Sequence, residues 1–201
     1  MASESFQDNK KYQDLLATGK ELFFKHGIKR ITIEEICEKA GVSKMTFYKF
    51  FRNKEDLGIR ILSQINDRIL AEQDEIMKQN IPFVEKIRGI INHLIKTHEE
   101  LADIFLDEMW GSNEDFLIFF NSLKKGSYQM VSNFIAQGQK EGVIRKSLKP
   151  EMILYLFDIF QGMLNSERMK EIAPDPHERL DSILNFIFYG IIDSSIKKVK
   201  A

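Results

Sequence analysis

Cysteine, proline and glycine are scarce in this sequence, and each scarcity excludes a class of protein. The single cysteine, Cys37, cannot form an intramolecular disulfide, which fits a reducing compartment. Four prolines and eleven glycines among 201 residues are too few for a low-complexity chain. The densest apolar run, residues 152–164, is interrupted by Asp158 and Gln161 and is shorter than the roughly 20 residues that cross a bilayer. The amino terminus is polar and lacks a secretory signal. We therefore expect a cytoplasmic protein that does not enter a membrane.

Charge is nearly balanced over the whole chain but not along it. The net charge is −1, yet residues 1–60 carry 12 Lys and Arg against 9 Asp and Glu. The remaining residues carry 17 Lys and Arg against 21 Asp and Glu. A small basic head on a larger acidic body suits local contact with phosphate groups.

Motifs for catalysis and metal binding are missing from the sequence. No glycine-rich phosphate loop follows a strand, and no nucleophile elbow or spaced set of histidines and carboxylates is present. The four histidines include no i,i+4 pair and have no cysteine companion; they are His26, His93, His98 and His177. The sequence therefore predicts no catalytic residues, no metal site and no cofactor.

Apolar residues recur at three- and four-residue spacings along the chain, which predicts helices and no convincing strand. We expect an all-α fold of about nine helices. A three-helix head over residues 1–54 would precede a larger helical domain over residues 55–201. The expected helices cover residues 9–26, 33–40, 44–51, 54–79, 82–109 with a break near 97–100, 113–141, 150–172 and 176–199.

Two short helices joined by Gly41-Val42-Ser43 have the form of a helix-turn-helix. Thr32 and Glu35 match a capping box, because each side chain can bond the free backbone amide of the other. Gly41 permits the left-handed backbone that ends this helix, and Ser43 is a favourable N-cap for the next one. The second helix should therefore cross the first and protrude, as a helix that enters the major groove does.

The protruding helix is predicted to have an aromatic face and an opposite face that meets DNA. At about 100° per residue, three phenylalanines share one side: Phe47, Phe50 and Phe51. Lys49 and Arg52 can meet guanine edges or phosphates, and Tyr48 can donate its hydroxyl to a phosphate. Side chains at the helix starts lie near free amides that suit phosphate oxygens. The predicted DNA contacts are Thr32, Ser43, Lys44, Met45, Thr46, Tyr48, Lys49, Arg52 and Lys54. Alternatively, Lys49 and Arg52 merely solvate an exposed face.

The stretch ITIEEICEKAGVSKMTFYKFFRNKEDL, residues 31–57, resembles the DNA-binding signature of the TetR (tetracycline-repressor) family. The matching residues are Thr32, Ile36, Ala40-Gly41-Val42-Ser43, Thr46-Phe47-Tyr48, Phe51, Asn53-Lys54 and Leu57. The chain length and the expected number of helices also agree with this family. The resemblance implies sequence-specific DNA binding by residues 1–54, with effector binding and dimerisation by residues 55–201. Many members have glycine or proline at the position of Met45, so base preference there does not carry over.

The two C-terminal helices are apolar over most of their surface, so they must be buried on several sides. A symmetric four-helix contact with a second copy would bury them, and the resemblance implies the same, since family members usually dimerise through their last two long helices. The predicted interface residues are Leu156, Phe160, Met163, Leu184, Ile187, Phe188 and Ile191. The alternative is a hairpin at the centre of one monomer. A two-fold dimer would read a near-palindromic operator with two helices about 34 Å apart.

Aromatic side chains are dense between residues 105 and 134, where they form either solid core or the wall of an apolar ligand cavity. Family ligands usually bind in this region, so the resemblance implies an apolar or aromatic small-molecule effector. The candidate ligand-binding residues are His93, Phe105, Met109, Trp110, Phe116, Phe120 and Tyr128.

Two other functions stay open on the sequence. One is a DNA-binding regulator with no small-molecule effector, controlled by a protein partner. The other is a helical interaction module with a vestigial head. Both repression and activation are compatible with the sequence, and repression is the simpler mechanism because it needs only occupancy of a promoter.

Overall fold

The fold is all-α, as the sequence predicts. A computed structural model describes residues 9–100, 105, 108–109, 114–164 and 166–192. The helices are α1 (Lys10–His26), α2 (Ile33–Ala40), α3 (Lys44–Phe50), α4 (Lys54–Lys78), α5 (Phe83–Glu100), α6 (Glu114–Lys140), α7 (Pro150–Leu164), α8 (Glu167–Ile172) and α9 (Pro176–Ile191). In this described part, β pairing is limited to one isolated antiparallel bridge between Ile144 and Ile192. No helix among the described residues is both long and apolar enough to cross a bilayer.

One predicted helix, residues 150–172, is two helices in the structure. α7 ends at Leu164, and α8 starts after its N-cap, Ser166. The Ser166 hydroxyl donates to the carbonyl of Met163 (2.8 Å) and accepts from the amide of Met169 (3.3 Å). A serine that bonds backbone groups on both sides competes with the helical ladder, and this explains the break. The parts of the predicted helices that fall on residues 101–104, 106–107, 113, 165 and 193–199 lie outside the described residues.

The described residues fall into two compact units. Those within Met1–Ile69 and Glu100–Leu123 form the first unit, and those within Leu70–Glu99 and Lys124–Ala201 form the second. The first unit has a core rich in aromatic rings, centred on Phe23, Phe47, Phe51, Phe105 and Phe116. The second unit has its own core, centred on Phe83, Phe134, Ile144, Ile153 and Ile187. The first unit therefore contains α1 to α3 complete, together with the start of α4.

Candidate nucleic-acid interface

The turn between α2 and α3 is built from the caps that the sequence predicts. The backbone amide of Thr32 donates to the Glu35 carboxylate (2.8 Å), and the Glu35 amide donates back to the Thr32 hydroxyl (3.2 Å). The Glu35 carboxylate also accepts from the Thr32 hydroxyl (2.8 Å), and the bonds that it accepts from the Thr32 amide and hydroxyl lower the pKa of Glu35 below its ordinary value. Gly41 ends α2 with φ 66° and ψ 33°, the left-handed conformation that glycine adopts without a Cβ clash. The Ser43 hydroxyl then caps α3 by accepting from the amide of Thr46 (3.1 Å).

α3 divides into a buried aromatic side and an exposed side. The Phe47 side chain is 0% exposed, and its ring centroid lies 5.4 Å from that of Phe51, which is also buried. Phe51 in turn stacks on Tyr12 of α1 at 5.3 Å. Met45 is 85% exposed and Tyr48 is 57% exposed on the other side. The aromatic side therefore anchors α3, and its opposite side is free to meet a partner surface.

The cationic side chains in and next to α3 differ in whether they are paired with a carboxylate. Lys49 is exposed, and its ammonium lies 5.9 Å from the centroid of the Phe50 ring. Lys44 forms an ion pair with Glu34 of α2. The Arg52 guanidinium, just beyond α3, donates to the Asp115 carboxylate at the start of α6 (Nη2 to Oδ2, 3.2 Å). Lys49 is thus the cation of this group for which the structure gives no carboxylate partner among the described residues.

Lys54, at the start of α4, fastens the turn between α1 and α2. Its ammonium donates to the backbone carbonyls of Lys29 and Ile31, both at 3.0 Å. A lysine has three N–H donors, so one remains for a phosphate oxygen. Asn53 caps α4, because its side-chain oxygen accepts from the amide of Asp56 (2.7 Å). The predicted contact residue Lys54 therefore also has a structural role.

Two acidic residues that sequence reasoning missed hold this part of the first unit together. The Glu108 carboxylate accepts from the amide of Lys29 (2.8 Å) in the turn after α1. Asp115 accepts from Arg52, 63 positions away in the chain. No local signal in the sequence marks either residue, because a pairing between distant positions depends on the tertiary fold.

The predicted ligand-binding residues that the structure describes divide between the two units. Three of them are fully buried in the core of the first unit: Phe105, Met109 and Phe116. A fourth, Phe120, packs against that core. His93 and Tyr128 belong to the second unit. Trp110 lies outside the described residues.

In the second unit, His93 and Tyr128 are both tied to carboxylates. The His93 Nδ1 atom lies 3.4 Å from a Glu72 carboxylate oxygen, while its Nε2 atom is buried without a partner among the described residues. The Tyr128 hydroxyl donates to Asp158. Burial, followed by this hydrogen bond, raises the pKa of Tyr128 to about 12. The buried Nε2 atom marks a place where a polar group of another molecule would be stabilising.

A small open cleft of about 270 Å³ also lies in the second unit, between α5 and α9. Its polar lining consists of Arg88, Asn92, Asp181 and Asn185, with Phe188 among its apolar residues. Among the described residues no group of histidine, cysteine and carboxylate side chains is placed to hold a metal ion.

The seven predicted interface residues divide between the core and the surface of the second unit. Four of them, on α9, are buried in the core: Leu184, Ile187, Phe188 and Ile191. Leu156 and Met163 on α7 are exposed, and Phe160 is half-buried. The apolar side chains exposed on these two helices, here called the α7–α9 apolar face, are Met152, Tyr155, Leu156, Ile159, Met163, Phe186 and Tyr189. The buried four lie on the stripe of α9 that packs inward, so this face replaces them as the candidate contact surface.

Comparison with known proteins agrees with the geometry of the head. Residues 15–61 match the family model for bacterial regulatory proteins of the tetR family. The fatty acid metabolism regulator protein of Bacillus subtilis is 24% identical over 189 residues, covering 92% of this chain and 97% of that protein.

Solved structures of the same fold include two regulators in complex with ligands. FadR of Bacillus subtilis, solved with stearoyl-CoA, has a TM-score of 0.69 at 20% identity and covers 90% of this chain and 99% of its own. SmeT, a repressor from Stenotrophomonas maltophilia, was solved with triclosan. It has a TM-score of 0.70 at 13% identity, and the match covers 96% of this chain and 98% of SmeT. The helix-turn-helix head, residues 15–61, is thus that of a tetR-family regulator. Over nearly its whole length the chain is similar to a curated regulator protein, and it shares the fold of solved regulators.

Proposed function

We propose that this chain is a cytoplasmic, homodimeric repressor that binds a near-palindromic operator through α3 and is released by an apolar or aromatic effector. Residues 1–54 would bind DNA, and residues 55–201 would dimerise and bind the effector. The observation that carries the proposal is the division of α3 into a buried side at Phe47 and an exposed side at Met45 and Tyr48. Such a helix can enter a major groove without disturbing the core that positions it.

The exposed side of α3 has the chemistry that DNA recognition needs. Lys49 can meet guanine edges or phosphates, and the Tyr48 hydroxyl can donate to a phosphate oxygen. Met45 offers a flexible thioether for the methyl groups of thymine. Thr32, Ser43, Lys44, Thr46, Arg52 and Lys54 complete the proposed set of contacts. Phosphate contacts would set the register, and contacts to base edges would set the sequence preference.

The α7–α9 apolar face supports the dimer. Its members are exposed at helical spacing along α7, and Phe186 on α9 is 71% exposed although it is a large aromatic side chain. Soluble monomers rarely expose a contiguous apolar patch of this kind. A second copy related by a two-fold axis would cover the face and would form a four-helix contact. The same axis would present two copies of α3 to a near-palindrome.

The effector is supported by the complexes of similar regulators and by one polar atom of the second unit. FadR and SmeT were solved with stearoyl-CoA and triclosan, which both carry large apolar groups. The buried Nε2 atom of His93 would be satisfied by a hydrogen bond from the polar end of such a molecule. Phe105, Met109 and Phe116 are fully buried in the first unit, which favours a structural role for these three.

The second candidate is a DNA-binding regulator controlled by a protein partner instead of a small molecule. The solid packing of the buried aromatics in the first unit favours it. A panel of apolar compounds separates the two candidates, since a true effector raises the melting temperature and weakens DNA binding at the same concentrations.

Selection of binding sites from a random duplex library tests the proposal as a whole. The wild-type chain, at near-physiological salt, is expected to enrich a near-palindrome with half-sites about one helical turn apart. The same selection with Tyr48→Ala should enrich no motif, because the side chain is exposed and contributes to contact instead of folding. If the wild type recovers no motif and its binding fades uniformly with salt, only phosphate attraction remains and the proposal of an operator is wrong.

A further inference from the structure

Arg52 stands at the exposed end of α3, and two carboxylates surround its guanidinium. Its Nη2 atom donates to the Asp115 carboxylate at 3.2 Å, and its Nε atom lies 3.8 Å from Asp56. Arg52 follows Phe51, whose extended backbone (φ −133°, ψ 136°) ends α3, and its side chain is 69% exposed. This exposed cation is one of the proposed DNA contacts, but its charge is already paired within the protein.

The two carboxylates are not equivalent. Asp56 is buried, and it also accepts from the backbone amide of Arg52 (3.0 Å) while its own amide bonds the cap residue Asn53. Asp56 is thus part of the structure that joins α3 to α4. The Asp115 side chain is half exposed and belongs to α6, a different part of the chain. Asp115 is therefore the carboxylate that a DNA phosphate can displace without breaking the turn.

We propose that Asp115 is an intramolecular competitor of the DNA backbone for Arg52, an inference that rests on the DNA-facing role proposed for α3. A phosphate that approaches Arg52 meets a guanidinium whose charge is already partly neutralised by Asp115, so the contact gains less attraction than an unpaired cation would give. Asp115 lowers the affinity for any duplex, because a phosphate contact carries no sequence information. Since Asp115 lies in the first turn of α6, the position of that turn sets how much positive charge α3 presents to DNA.

Binding to a short DNA duplex of arbitrary sequence, followed by fluorescence anisotropy, measures this competition without an operator. Asp115→Asn keeps the size of the side chain and removes its charge, so it should bind about two- to fivefold tighter than wild type. Glu114→Gln is the matched control, since Glu114 is the neighbouring exposed acid in the same helical turn. It removes an equal charge from the same region and should change affinity by less than about 1.5-fold.

A double-mutant cycle separates competition for Arg52 from a general effect of charge. In an Arg52→Ala background, Asp115→Asn should bind no tighter than Glu114→Gln does in that same background. A gain from Asp115→Asn that persists without Arg52, or an equal gain from Glu114→Gln, would overturn the proposal. Weaker binding by Asp115→Asn would overturn it as well, and Asp115→Ser repeats the measurement with a second neutral side chain.

Failure of this inference and failure of the proposed function give different results. If the chain binds no duplex at all, DNA recognition by α3 is wrong. If the chain binds DNA and the cycle shows no coupling between Arg52 and Asp115, only the competition is wrong.

Discussion

Replacing Phe47 by alanine tests whether α3 is held in place by its buried aromatic side. The Phe47 side chain is fully buried, and it packs against the ring of Phe51. Truncation of a buried phenylalanine to alanine costs about 3–5 kcal/mol of unfolding free energy. That is a large share of the roughly 5–15 kcal/mol by which a domain is stable. Tyr48→Ala is the matched control, since it makes a similar truncation at the next, largely exposed position of the same helix.

Urea unfolding followed by circular dichroism measures both variants. Phe47→Ala should lower the midpoint strongly at an unchanged slope, whereas Tyr48→Ala should cost no more than about 1 kcal/mol. DNA affinity, measured at low urea and corrected for the fraction of folded molecules, should fall more in Tyr48→Ala than in Phe47→Ala. If Phe47→Ala costs under about 1 kcal/mol, or if the two variants lose stability equally, the assignment of the two sides of α3 is refuted.

Three further predictions concern other parts of the chain. Gly27→Ala should cost about 1–3 kcal/mol in urea unfolding, because Gly27 has φ 78° and an added Cβ would lie 2.6 Å from a Glu108 oxygen. Gly142→Ala, at φ 76° with no neighbouring atom within 4 Å, should cost less stability. Equal losses of stability in the two variants would contradict a cost from the close contact with Glu108. The stability that ionised Glu35 contributes should be present above its ordinary pKa of 4.5 and lost as pH falls below it. When the urea midpoint is plotted against pH, Glu35→Gln should therefore make the fall on the acid side shallower than in the wild type. The same fall in both proteins would refute this role of Glu35. Ile159→Glu on the α7–α9 apolar face should give monomers in sedimentation, and an unchanged mass would exclude this face as the dimer contact.

The helix-turn-helix could be predicted from the sequence because its determinants are local. The capping box joins Thr32 and Glu35 over three positions, and Gly41 ends α2 by its own backbone conformation. The three phenylalanines of α3 also reveal their common side through helical spacing alone. Local signals of this kind survive in any tertiary context, which explains why the two capped helices and the turn between them are confirmed.

The remaining features depend on contacts between distant positions. Glu108 and Asp115 look like ordinary surface acids until the fold brings them to Lys29 and Arg52. On α9, apolar residues occur on nearly every side, so spacing alone did not show that Ile187 packs inward and Phe186 faces outward. The choice between a core stripe and an exposed stripe is made by the neighbouring helices.

The central claim is that the exposed side of α3 binds DNA, and Lys49→Ala measured against Lys140→Ala tests it most directly. Both lysines are exposed, and Lys140 lies at the far end of α6. Binding to the selected duplex is followed by anisotropy over a range of salt concentrations. The account predicts that Lys49→Ala weakens binding about tenfold or more and makes the salt dependence shallower by about one counterion per head, while Lys140→Ala matches wild type. Equal affinities and equal salt dependences for the two variants would contradict it.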